Sequence, residues 1–181
     1  MSRLGAGILL SILSANPCWP QKNPCRPELS EPLRVKTLSL IHSIVVANTE
    51  SVLKAFGSEG IMIGDSSPIP LAAVRRQFAV KEGLFCLFFD SACMDKPSNR
   101  SLWSDDRALR ALSGSFREWL KRAGNLNLEI NFLDAPVARY CMAAVQVSQS
   151  TSIPASVPAT IDFGFVYLRG SWEFTQIGAM P

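Results

Sequence analysis

The chain has 181 residues, 48% of them hydrophobic and 18% charged, with a formal net charge of +3. That composition supplies a core for one ordinary domain and excludes bulk disorder. The charge is too mild for a nucleic-acid footprint, no Arg/Lys run is interleaved with aromatics, and every apolar run falls far short of the roughly 20 residues of a membrane span.

Residues 1–15 read MSRLGAGILLSILSA. Arg3 is a minimal basic region, Leu4 to Leu13 a short apolar stretch, and Ser14 and Ala15 small residues at a cleavage position. This is the pattern of a secretory signal peptide and predicts a secreted or periplasmic protein with no transmembrane span once the leader is removed. The alternative is a first helix or strand buried in the core, which Gly5 and Gly7 would weaken as a helix. Cys18 could suggest a lipoprotein site, against which Asn16 and Pro17 stand where small residues are needed. Residues 16–32 carry Pro17, Pro20, Pro24, Pro27 and Pro32, which block helix interiors and central strands and predict an extended tether. A single domain is then expected over residues 33–181.

Leu33 to Phe56 is predicted as the first helix, with Leu38, Ile41, Val45, Val52 and Phe56 at helical spacing. Asn48 and Thr49 are a natural break, and Gly57 a C-cap. Gly60 to Gly64 is a short apolar strand between glycines. Pro70 opens a second helix, through about Lys81, with Leu71, Val74 and Phe78 as its stripe and Gly83 at its end. Leu84 to Phe89, LFCLFF, is expected to be a central strand. A third helix starts at Ser104, Asp105 and Asp106 and buries Leu109, Leu112, Phe116 and Leu120. Gly114 splits it, with a second piece from Ser115.

Leu126 to Asp134 alternates as a half-buried strand, and Val137 to Val147 is the next. Ser148 to Pro158 is a polar, proline-punctuated loop. The chain then finishes in a β-hairpin. Ile161, Phe163, Phe165 and Tyr167 share one face of its first strand. Arg169, Gly170 and Ser171 make the turn, where Gly170 takes positive φ. Trp172, Phe174 and Gln176 alternate with Glu173, Thr175 and Ile177 on the return. Helices gathered early and strands late predict an α+β fold, a twisted antiparallel sheet packed on one face by about three helices.

The order of elements from Leu33 to Gly178, ending in GSWEFTQIG with Trp172 after the turn glycine, resembles the cystatin-like and nuclear transport factor two-like superfamily. The segment GLFCLFFDSAC is similar to small exported bacterial proteins of unknown function. The superfamily resemblance implies a cone-like sheet and a role that ranges over isomerases, dehydratases, scaffold domains and secretion-system components, so it assigns no activity. Its enzymes use an Asp/His pair in the cone, and no such pair can be placed here residue by residue.

His42, the only histidine, is a candidate general base, against the reading of an ordinary helix residue. Asp65, Asp90 and Asp134 lie at strand ends or turns; Asp90 is the carboxylate candidate for acid–base work, and turn formation is the plainer role. Arg75 with Arg76, and Arg107, Arg110, Arg117 and Lys121, form basic helix faces for solvent or an anion. Cys18 and Cys25, and Cys86 and Cys93, each have six residues between them, and export would pair them as disulfides. Cys141 is then a buried small hydrophobe; a Cys86–Cys141 bridge is the alternative. No C-x₂-C knuckle suggests a metal, and no phosphate-cradling glycine loop suggests a cofactor.

These observations favour an exported, non-enzymatic domain that binds a partner protein or small ligand through a curved sheet, with a homodimer through the sheet as one arrangement. One rival is a cone-type isomerase or dehydratase with a carboxylate base. The other is a cytoplasmic interaction domain with five reduced thiols.

Overall fold

A computed structural model of the chain describes residues 25–64, 66–94, 96–100, 106, 109, 112, 114–133, 140–149 and 160–178. The expected leader, Cys18, Asp65, Asp134, Arg107 and Arg110 lie outside them. Five strands make one sheet: β1 Met62–Ile63, β2 Leu126–Leu133, β3 Cys141–Gln149, β4 Thr160–Leu168 and β5 Ser171–Gly178. Their order is β1-β5-β4-β3-β2. The four long strands are an antiparallel meander, and β1 adds a short parallel edge beside β5. The fold is α+β.

Alternation decides which face is which. On β3 and β4, Cys141, Ala143, Val145, Val147, Ile161, Phe163 and Phe165 are buried beneath the helices. Met142, Gln146, Asp162, Val166 and Leu168 alternate with them and stay half-exposed on the other face. Arg169 and Gly170 take φ of 50° and 85°, the positive values at both central positions that suit a two-residue hairpin loop.

The hairpin departs from strict alternation at one place. Phe165 faces Phe174, but Gly164 faces Gln176, so Thr175 is an extra residue in a β-bulge. The insertion reverses the parity of the rest of the strand. Ile177 therefore joins the core opposite Phe163 and Gln176 turns to the open face, the reverse of the expected pattern.

The expected first helix is two: α1 Ser30–Val45 and α2 Thr49–Ala55. Ala47 takes a φ of 57°, and the Asn48 side chain accepts a hydrogen bond from Ser51 N at 3.0 Å, capping α2. Helix α3 spans Leu71–Val80 and closes on left-handed Lys81 rather than at Gly83. Helix α4 is Leu84–Phe89, and two short helices come after it, α5 Ser91–Met94 and α6 Pro97–Arg100. Helix α7, Phe116–Arg122, starts where the glycine split places it, with the Ser115 hydroxyl accepting from Glu118 N. Within the expected tether, residues 27–29 form a turn of 3₁₀ helix and α1 begins at Ser30. The Trp172 indole donates to Leu29 O at 3.2 Å, so this part of the chain is held against the hairpin.

Helix α4 stands where a central strand was expected. A short run of apolar residues has no period to separate a buried strand from a buried helix. Local caps favour the helix: Leu84 N donates to the Gln77 side chain at 2.8 Å, and Cys86 N to Gly83 O at 2.9 Å. Leu84, Cys86, Leu87, Phe88 and Phe89 are all buried. Phe88 touches Phe56, Phe78, Phe116 and Phe174, which places α4 at the centre of an aromatic core. Phe163 and Phe174, with ring centroids 5.1 Å apart, carry that core onto the sheet.

Candidate functional site

The open face of the sheet carries a hollow whose origin can be traced residue by residue. Gly164 sits in the middle of β4 on that face, and a strand glycine leaves a side-chain position vacant. Its neighbour in register on β3 is the small Ala144, and on β5 the bulge displaces the chain. The result is a pocket of about 260 Å³, just below the roughly 300 Å³ at which small-molecule sites usually begin. Met62, Met142, Val166 and Leu168 line its apolar floor. Leu133 and Tyr140 stand at its side, 40% and 54% exposed, two of the few large apolar side chains left in water.

Polar groups gather at one end of this hollow. Glu59, Glu173, Thr175 and Gln176 line it. The Glu173 carboxylate accepts from Ser58 N at 3.0 Å, which fixes one oxygen against the turn after α2. Gln176 donates to Gly64 O at 2.8 Å, and the Thr175 hydroxyl to Gly164 O at 3.4 Å. Thr175 and Gln176 both reach the pocket because the bulge sets them consecutively on that side. A wider groove of about 640 Å³ lies between α1 and the hairpin, lined by Val35, Lys36, Tyr167 and Trp172 among others.

The residues singled out for acid–base chemistry are elsewhere and apart. His42 is exposed on α1. Asp90 is exposed, and its carboxylate accepts from Ala92 N at 2.9 Å, a turn-forming role at the start of α5. Neither lines the two pockets. Arg75 and Arg76 are exposed on α3 and Lys121 on α7. Arg117 is only half-exposed, and its Nε donates to Val45 O at 3.0 Å. It satisfies the last carbonyl of α1, one of the groups a helix end leaves unpaired.

The cysteines form two bridges, Cys86–Cys93 and Cys25–Cys141. The second replaces both the Cys18–Cys25 loop and the unpaired Cys141, and with Cys86 bonded to Cys93 the Cys86–Cys141 alternative is excluded. It pins the start of the described chain to the start of β3. The spacing of the cysteines gave no hint of it, because its partners meet only through the tertiary fold.

Asn99 is a buried polar residue that the sequence pattern did not single out. Its oxygen accepts from Gly83 N at 3.0 Å, and its amide donates to Cys93 O at 2.7 Å and to Cys86 Sγ at 3.4 Å. Asp106 is also buried; its Oδ1 accepts from Leu109 N at 2.8 Å, as its expected place at a helix start implies. Both serve the scaffold. Among the described residues, no buried side-chain nitrogen or oxygen lacks a partner, no cluster of three His, Cys, Asp or Glu could hold a metal, and no helix is long and apolar enough to cross a membrane.

No family model, curated protein or solved structure matches this chain.

Proposed function

We propose that this is an exported binding domain without catalytic activity, and that its ligand, a small apolar molecule, seats in the hollow on the open face of the sheet. The observation that carries the reading is the pocket made by Gly164 and the Thr175 bulge, with an apolar floor and a polar end. Two disulfides fit an oxidising compartment, in keeping with the leader-like pattern of residues 1–15. The cystatin-like resemblance fits a helix that touches both β2 and β5 across a four-strand meander. In an enzyme of the cone type the cavity would lie between helices and sheet. Here that space holds Phe88, Phe116, Trp119, Phe163 and Phe174, all fully buried.

Gly164→Val tests the site. Gly164 has no positive φ, so its backbone accepts a side chain, and valine raises strand propensity. The expected result is an unchanged or higher thermal midpoint, with ligand-induced shifts of the Met62 and Met142 methyl resonances abolished. Undiminished shifts in the variant would remove the pocket from consideration. Intact mass of protein from its native cell, alkylated before and after reduction, tests export. An intact leader with freely alkylated thiols would refute it.

A further inference from the structure

We infer that the ligand of the open-face pocket is an apolar molecule bearing one cationic group, such as an alkylammonium ion. The inference rests on the pocket reading above and adds its charge. Among the described lining residues Glu59 and Glu173 are the only ionisable side chains besides the Tyr140 phenol, and no lysine or arginine is present.

The two carboxylates stand at the same end as Thr175 and Gln176, while Met62, Met142, Val166 and Leu168 line the floor. One Glu173 oxygen is held by Ser58 N. That contact orients the carboxylate without neutralising it. A ligand laid along the floor would put its polar end beside two carboxylates, with the Thr175 hydroxyl and the Gln176 amide donating to Gly164 O and Gly64 O. An anion would meet like charge there, whereas a cation would gain the attraction of both carboxylates. The methionines add a polarizable surface that adapts to aliphatic chains. An ammonium head with an aliphatic body satisfies both ends, in the way a lysine stem lies on apolar surface while its head seeks charge.

The test compares three probes of one length, n-hexylammonium, n-hexanol and n-hexanoate, by titration into the methyl-labelled full chain with Met62, Met142, Val166 and Leu168 as reporters. The expected order is ammonium, then alcohol, then carboxylate, with the first step about two- to fivefold, the size of a partly exposed charge contact. The step should shrink with added salt. Glu59→Gln with Glu173→Gln should erase the preference yet keep alcohol binding, since glutamine retains an acceptor for Ser58 N. Each single variant should lose part of it. Equal affinity for all three probes would overturn the cationic inference and leave the pocket standing. No shift at these methyls with any probe would overturn both.

Discussion

Removing each disulfide separately distinguishes loop closure from local packing as the source of its stabilisation. Cys25 and Cys141 are 116 residues apart, Cys86 and Cys93 only 7. In the chain-entropy description a cross-link lowers the unfolded-state entropy by about 2.1 + 1.5R ln n cal/mol/K. This amounts to about 4.8 kcal/mol at 25 °C for the long loop and about 2.4 kcal/mol for the short one. Packing argues the other way. Cys86 and Cys93 are both buried and Cys86 touches the buried Asn99 amide, whereas Cys25 is half-exposed. The variants C25A/C141A and C86A/C93A avoid burying a hydroxyl at either site. Followed by circular dichroism under non-reducing conditions, C25A/C141A should melt roughly 5–10 °C below C86A/C93A, the gap that about 2.4 kcal/mol produces in a chain of this size. A lower midpoint for C86A/C93A would show that the short bridge acts through packing around α4, and the entropic reasoning would fail.

Gly178→Ala should cost about 2–4 kcal/mol in urea unfolding, from a backbone φ of 132° and from a collision of the new Cβ with Asp106 Oδ2. Adding Asp106→Ala should relieve the collision but not the backbone strain, so a double-mutant cycle should show coupling near 1 kcal/mol; strict additivity would refute the contact. Arg117→Ala should cost about 1 kcal/mol through the lost bond to Val45 O, with Arg117→Lys recovering only part of it. No loss of stability would return Arg117 to the solvated basic face expected from its spacing.

The parts of the fold that were legible in the sequence are those set by local chemistry. Asn48 breaks the first helix because its side chain caps the next one, and Ser115 starts α7 after the Gly114 split. The terminal hairpin arises from alternation and a turn glycine. The hidden parts depend on contacts distant in sequence. LFCLFF has no period, and only its burial among Phe56, Phe116 and Phe174, with caps from Gln77 and Gly83, makes it a helix. Cys25 finds Cys141 across 116 residues. The bulge at Thr175 leaves no mark in a pattern that reads equally well as plain alternation. The candidate site was legible only as a curved sheet; its position depends on Gly164 standing opposite that bulge, a matter of register. His42 and Asp90 drew notice by residue type, yet residue type alone does not bring groups together.

The single extra residue in β5 serves both faces of the sheet at once. Without it, register continued from the Phe165–Phe174 pair would set Gln176 opposite Phe163, in the aromatic core, and turn Ile177 outward. An unpartnered amide there would carry a desolvation cost of about 1–3 kcal/mol, and the exposed isoleucine would forgo burial. With it, Ile177 is buried and Gln176 bonds to Gly64 O at 2.8 Å. The same insertion lines up Thr175 and Gln176 at the polar end of the pocket, beside Glu173. Core packing and pocket chemistry thus depend on one backbone irregularity.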